Sequence, residues 1–314
     1  MNYKRIWITG HNGMVGSAMV RRLCKDGVQT VTAHRSEVDL TDSRQVEGFI
    51  AGAKPDAIVF CAGRVGGIQA NMDDKAGFLA ENAQMALVTI QAARDAGINR
   101  LVYLGSTCVY PWARQDGCKE GDLLADRLEP SNDGYALAKI VGIKLCEYIR
   151  RQYGLLYHSA MPTNLYGLND NYHPTNSHVI PALIRRVCYA HDTGLPAVAV
   201  WGTGKEQREF LHVNDLADAV VHLLGLDYPP HIVNVGTGQA IEIMEVAKMI
   251  AGIVGYQGEL VAEPTKPSGV ARKVSDVSLM TSLGWTAKRR LWDGLYSTVA
   301  DYRRQVSEGT VRRS

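Results

Sequence analysis

A chain of 314 residues with a formal net charge of +2 has room for one large domain or two modest ones. It lacks both the basic excess of a nucleic-acid binder and an acidic tail. Apolar residues make up 46% and charged residues 21%, ordinary values for a globular protein, and no apolar run of about 18 residues suggests a membrane span.

The chain opens directly on a strand, Arg5–Thr9 (RIWIT), with none of a signal peptide's features. Met14, Val15, Ala18, Met19 and Leu23 recur at helical spacing and predict a helix over 14–25. Further strands are predicted at 30–33, 57–61, 100–104 and 156–161, and further helices at 78–96 and 133–152. Such alternation predicts an α/β fold, a doubly wound parallel sheet (Rossmann) with a smaller C-terminal substrate-binding lobe. The Rossmann domain is expected over 1–165, with a segment near 205–235 returning to it, and the lobe mainly over 166–314. Beyond 166 the pattern loosens: 169–177 reads as a polar loop, 244–254 as a helix and 266–269 as a turn. The six cysteines (24, 61, 108, 118, 146 and 188) form no CxxC pair. Reduced thiols in a cytoplasmic protein are expected, without a disulfide framework or a metal site.

Between the first strand and helix lies Gly10-His11-Asn12-Gly13-Met14-Val15-Gly16, a GxxGxxG turn. Glycines there permit unusual φ angles, close backbone approach to a diphosphate and tight helix–strand packing. The helix N-terminus then offers free N–H groups to the phosphates. The second strand runs into Thr32-Ala33-His34-Arg35-Ser36, with no acid for a ribose hydroxyl. Arg35 suits a 2′-phosphate, so NADP(H) is the expected cofactor, the alternative being that Arg35 is a solvated surface charge.

Ser106, at the end of the 100–104 strand, and Tyr135 and Lys139, four apart on one helix face, form a reducing constellation. Tyr135 passes a proton to a carbonyl oxygen as hydride reaches the carbon, and Ser106 holds the same oxygen. The nearby ammonium is expected to lower the phenol's pKa. A YxxxK pair alone could be a solvated face; the glycine turn and the strand-end serine argue otherwise.

These motifs, with Val65-Gly66-Gly67-Ile68, Ser106 to Pro111 (STCVYP), Tyr135 to Leu145 (YALAKIVGIKL), Met161 to Gly167 (MPTNLYG), Asn176 to Ala182 (NSHVIPA) and Arg208 to Val213 (REFLHV), resemble the GDP-L-fucose synthase family of extended short-chain dehydrogenases/reductases. The resemblance covers nearly the whole chain. It implies a bifunctional epimerase-reductase acting with NADPH on a GDP-linked 4-keto-6-deoxy sugar. C3 and C5 are inverted and hydride is then transferred to C4. By position it implies Cys108 and His178 as the epimerising pair. Arg186, Trp201 and Arg208 would hold the GDP, and Ser268 stands where an acid often meets the nucleotide. Cofactor contacts are implied at Gly10 through Gly16, at Arg35, Ser36, Asp39 and Leu40, at Leu104, Gly105, Ser106 and Thr107, at Tyr135 and Lys139, at Pro162, Thr163, Asn164 and Leu165, and at His178. Asn12 replaces an arginine common in the family. The resemblance also implies a homodimer joined through a four-helix bundle of helices 78–96 and 133–152.

The chemistry suits the residues on its own terms. A C4 ketone acidifies the C3 and C5 protons, and a thiol (ordinary pKa ~8.5) and an imidazole (~6.5) suit exchange on two faces. Taken singly, Cys108 reads as a small buried hydrophobe and His178 as a satisfied loop histidine. Arg186 and Arg208 could be ordinary charges, and Trp201 core. The alternatives are a related enzyme such as GDP-L-colitose synthase, an epimerase or dehydratase that retains its cofactor, and a non-catalytic NADP-binding regulatory protein. No nucleic acid and no membrane partner is expected.

Overall fold

The computed structural model describes residues 3–114, 117–266 and 269–313. In chain order the first half runs β1 (Arg5–Thr9), α1 (Met14–Lys25), β2 (Gln29–Val31), α2 (Ser43–Ala53), β3 (Ala57–Phe60), α3 (Ile68–Asp73), α4 (Lys75–Asp95), β4 (Arg100–Leu104), α5 (Asp133–Tyr153) and β5 (Leu156–Pro162). The second half runs β6 (Asn164–Tyr166), α6 (Val179–Thr193), β7 (Ala197–Trp201), β8 (Gln207–His212), α7 (Val213–Gly225), β9 (Ile232–Val235), β10 (Ala240–Glu242), α8 (Ile243–Val254), β11 (Glu259–Glu263), β12 (Arg272–Lys273), α9 (Ser278–Ser282) and α10 (Leu291–Glu308).

Six parallel strands form the main sheet in the order β2-β1-β3-β4-β5-β9. Its inner strands are apolar runs because both faces are covered. Trp7, Ile58, Phe60, Leu101 and Tyr103 point into one core, with residues of α2, α4 and α5. Ile6, Ile8, Val59 and Val102 point into the other, with residues of α1 and α7. The period of two along each strand thus separates the two layers.

Two strands end earlier than their apolar pattern. β2 stops at Val31 rather than at 33, because the chain turns at His34, whose N–H donates to Glu37 Oε2 at 2.6 Å. β3 stops at Phe60 because the N–H groups of Cys61 and Ala62 turn to the Thr9 hydroxyl, both at 3.1 Å.

The remaining strands build a smaller layer. β8 lies between β10 and β12 and also pairs with β6, and β7 pairs with β11. Helices α6, α8 and α10 close a third core around Tyr166, Leu183, Ile184, Ile250 and Leu295. The chain does not stay in this layer: α7 packs on α1, and β9 pairs with β5. Among the described residues no helix is long and apolar enough to cross a membrane. The six cysteines, all described, are free thiols.

Glu209 staples the layers together. Its fully buried Oε1 accepts the N–H groups of Thr237 (2.6 Å) and Gly238 (2.7 Å), and its Oε2 accepts that of Ser275 (2.7 Å). Its main-chain oxygen accepts from Thr163 Oγ1 at 3.2 Å and Asn164 Nδ2 at 2.9 Å. Glu209→Gln puts an amide donor against a backbone N–H and removes the charge. It should destabilise the chain by about 2–3 kcal/mol, read from the shift of the urea midpoint. An unmoved midpoint would show that the charge is not needed.

Candidate active site

At the end of β1 the chain turns through Gly10 at φ +65°. A Cβ there would sit 2.8 Å from Ala62 Cα, and a Cβ on Gly16 would collide with the Gly10 carbonyl oxygen. Both positions therefore demand glycine, the first for its conformation and close approach, the second so that α1 can lie against the turn. α1 has no side-chain cap and no acid in its first turn. Its leading N–H groups are left for an anion, and with the bare glycine turn they fit the diphosphate of a dinucleotide. Met14, Val15 and Leu165 pack under this turn against the α1 core.

Beside the turn, Asn12 Nδ2 lies 3.0 Å from His34 Nδ1, and the His11 ring meets His34 edge-on at 4.8 Å. Burial, and then His34, lowers the His11 pKa. Arg35 and Ser36 follow, both exposed, so a guanidinium stands where an acid would have selected the unphosphorylated cofactor. Asp39 does not play that acid's part. Its carboxylate accepts the Thr41 N–H and hydroxyl at 2.9 and 2.8 Å, which hold its pKa low, with Arg35 adding to the effect. Leu40 packs against the α2 side of the core.

Lys139 ties α5 to β4: its buried Nζ donates to the Leu104 carbonyl at 2.8 Å. The same ammonium lies 5.6 Å from the centre of the Tyr135 ring and 5.1 Å from that of Tyr103. After β4 come Gly105, whose N–H donates to Ala160 O at 2.9 Å, and Ser106. Ser106 Oγ accepts the Cys108 N–H at 3.3 Å and so starts the single 3-10 turn Thr107–Val109. A Cβ on Gly105 would collide with the Met161 sulfur. The structure thus brings Ser106, Cys108, Tyr135 and Lys139 to one end of one strand.

The electrostatics differ from the sequence expectation. Burial pushes the Tyr135 phenol well above its ordinary pKa, and Cys108 adds to the rise. Burial also lowers Lys139 to about 8. Burial raises the Cys108 thiol too; the Ser106 hydrogen bond, Lys273 and Lys139 oppose the rise, and Glu129 adds to it. Desolvation outweighs the neighbouring ammonium because the phenol is enclosed by α5 and Phe78, whose ring lies edge-on at 6.4 Å.

His178 sits at the N-cap of α6, and its side chain makes no cap bond. The loop Gly63–Gly67 reaches it from the Lys139 side. A Cβ on Gly63 would lie 3.8 Å from Lys139 Nζ, and one on Gly67 would lie 2.8 Å from Ser177 O. Gly67 N–H donates to Asn176 O at 3.0 Å. The histidine keeps solvent-accessible surface, yet enough protein surrounds the ring to disfavour its cation and lower its pKa.

The other layer supplies the arginines. Arg186 donates to Ala199 O at 2.7 Å and Ala182 O at 3.2 Å, and its guanidinium lies 5.6 Å from the centre of the Trp201 ring. Trp201 is 38% exposed, so it is not a core residue, and Lys266 also lies over its ring, at 5.9 Å from the centre. Arg208 donates to Gln207 O at 2.9 Å, and its Nη2 would lie 3.2 Å from a Cβ on Gly269. Ser268 lies outside the described residues. Pro162 ends β5, and Thr163 and Asn164 spend their side chains on Glu209.

Sequence reasoning missed three neighbours, none of which belongs to a motif. Glu129, held by the Ser131 hydroxyl at 2.7 Å, acts on both Cys108 and Arg208. Asn169, at φ +62°, donates to Asn12 O at 3.0 Å and so braces the glycine turn. Lys273 is buried near Cys108.

The model of the NAD dependent epimerase/dehydratase family matches residues 6–236. The chain is 46% identical to GDP-L-fucose synthase 1 of Arabidopsis thaliana, over 96% of its own length and 94% of the relative's. It is likewise 46% identical to the GDP-L-fucose synthase of Escherichia coli K12, over 95% and 96%. Its fold is similar to that of a GDP-mannoheptose C4 reductase from Campylobacter jejuni with NADP bound, with a TM-score of 0.87 at 31% identity, covering 96% and 99% of the two chains. The chain therefore belongs to the NAD dependent epimerase/dehydratase family, in the branch of the GDP-L-fucose synthases.

Proposed function

We propose that this chain converts GDP-4-keto-6-deoxy-D-mannose to GDP-L-fucose with NADPH, inverting C3 and C5 and then reducing C4. The observation that carries the reading is the convergence of a phenol, a hydroxyl, a thiol and a buried ammonium just past the end of β4. A simple reductase needs no thiol there.

In this reading Arg186, Trp201, Arg208 and the position of Ser268 hold the GDP, leaving the sugar ketone toward Tyr135 and Ser106. The Cys108 thiolate takes the C3 proton, and the electron pair of the broken C–H bond moves into an enolate. Ser106 and Tyr135 donate hydrogen bonds to that enolate oxygen. His178 returns a proton to the opposite face and the ketone re-forms; once Cys108 has given its proton to solvent and His178 has regained one from it, the pair repeats the exchange at C5. Burial suits both partners once they are charged: a raised thiol pKa makes a stronger base, and a lowered imidazole pKa makes its cation a readier acid. The glycine turn would hold the diphosphate of NADPH and Arg35 its 2′-phosphate, and the cofactor would supply the hydride for C4. Tyr135 gives the ketone oxygen its proton, and Lys139 stabilises the phenolate left behind. Thr107, Pro162, Thr163, Asn164 and Leu165 line the cofactor's path.

A homodimer fits the same reading. Leu87 on α4 and Leu137, Val141 and Tyr148 on α5 are exposed apolar residues on two adjacent helices. A second copy would cover them as a four-helix bundle. Free thiols suit a cytoplasmic site of action.

NADPH absorbance should fall when the chain meets GDP-4-keto-6-deoxymannose; preferential turnover of GDP-4-keto-3,6-dideoxymannose would instead mark a colitose enzyme. Tyr135→Phe should cut kcat by about 10²–10⁴ with NADPH affinity unchanged, and near-normal turnover would remove Tyr135 from its role.

Cys108→Ser should stop deuterium entry from solvent at C3 and C5 while slow reduction continues, giving a product that keeps its starting configuration. NMR of product formed in deuterated water decides this, and normal inversion would point to another base.

The two reactions should part with pH. Lys139, cationic below about 8, loses its charge above it, so reduction should fall there. Cys108, whose pKa is raised, gains thiolate as pH rises, so deuterium exchange should rise. Parallel profiles for the two would contradict these assignments.

A further inference from the structure

Lys273 ends β12 with only 8% of its surface exposed, in register with Arg208 of β8. A buried ammonium ordinarily has a carboxylate or several carbonyls around it. Among the described residues its hydrogen-bond acceptor is the Tyr110 carbonyl oxygen, at a long 3.4 Å. No carboxylate of the described residues forms an ion pair with it. Tyr110 stands two residues past Cys108, at the close of the turn that Ser106 starts. Lys273 thus lies against the segment that leaves the Cys108 turn, with most of its donor capacity unspent, and its charge favours the thiolates of both Cys108 and Cys118.

The surroundings of Cys108 leave it few other sources of positive charge. Tyr103 on β4 and Tyr135 on α5, both held neutral by burial, bring no positive charge. Glu129, in the segment before α5, repels one. Lys139 contributes, but its short bond to Leu104 O and its place at the Tyr135 ring commit it to the phenol. Ser106 Oγ accepts the Cys108 N–H and its hydroxyl also favours the thiolate, but it brings a hydrogen bond and no charge. We propose that Lys273 is a positioning residue that holds Cys108 as a thiolate from behind the 107–109 turn, leaving Lys139 to serve Tyr135. The proposal rests on the reading of Cys108 as the base and gives that thiol the counter-charge its enclosure otherwise denies it. Since β12 pairs with the strand that carries Arg208, the counter-charge is anchored to the element that would grip the substrate.

The test is the pH profile of Cys108 alkylation by iodoacetamide, read on the Cys108 peptide by mass spectrometry in the full chain. Lys273→Met should raise the apparent pKa of Cys108 by about one unit, making alkylation near neutral pH about tenfold slower. Lys273→Arg should restore the native profile. NADPH affinity and circular dichroism should not change in either variant. If Lys273→Met does not fold, Lys273→Gln carries the same expectation. An unshifted profile in a folded neutral variant overturns the proposal. Alkylation uses no sugar, so the result stands even if the proposed substrate fails. Where the substrate is turned over, deuterium exchange at C3 and C5 should slow about as much as alkylation does; a shifted profile with undiminished exchange would also overturn the role assigned to Lys273.

Discussion

The 2.8 Å hydrogen bond from Lys139 to the Leu104 carbonyl is the constraint on which the rest of the site depends. It ties the first turns of α5 to the carboxyl end of β4, the end at which such sheets bind ligands. Tyr135, one turn earlier on α5, is thereby set over the segment that leaves the strand. That segment cannot wander: Gly105 is bonded to Ala160, and Ser106 closes the turn that carries Cys108. One buried cation thus fixes the relative placement of a phenol, a hydroxyl and a thiol that come from two separate elements.

Enclosure that fixes geometry also sets an electrostatic conflict. Loss of water disfavours every charge that the proposed chemistry needs, raising Tyr135 and Cys108 and lowering Lys139 and, although it stays exposed, His178. The free energy for ionising these groups must come from close partners rather than from water. That makes the arrangement of the few ammonium groups decisive. It also explains why the four-residue spacing of Tyr135 and Lys139 alone misjudged the phenol. Spacing shows that two side chains share a face, but not how much water their neighbours exclude. The Phe78 ring and the closely packed α4 and α5 are long-range products of the fold.

Local patterns were legible where local rules decide. Gly16 is required by a collision with Gly10 inside the turn itself, so the turn could be read directly, although Gly10 is also confined by Ala62 from the segment after β3. The inner strands could be read because a sheet covered on both faces leaves unbroken apolar runs. α2, α3, α6, α7, α9 and α10 were not identified in the sequence: α3 and α9 are short, and α10 carries exposed Trp292 and Tyr296 on its outer face. Glu129, Asn169 and Lys273 were missed for a different reason. Each acts on a residue far away in the chain, and a single glutamate, asparagine or lysine carries no spacing signal.

β8 shows how the second layer enters the site without a motif of its own. Successive residues on a strand face opposite ways. Arg208 thus comes to the Gly269 side, where Glu129 also lies, while Glu209 turns inward and spends its whole carboxylate on backbone N–H groups. The inward residue does more than fill space. Its main-chain oxygen takes the side chains of Thr163 and Asn164, which follow β5 of the main sheet. A displacement of Arg208 is therefore opposed by bonds that reach the loops after β5, β9 and β12. The same strand sets β12, and with it Lys273, in register beside Arg208. The layer that would bind the nucleotide and the layer that holds the reacting groups are coupled through the two faces of one short strand.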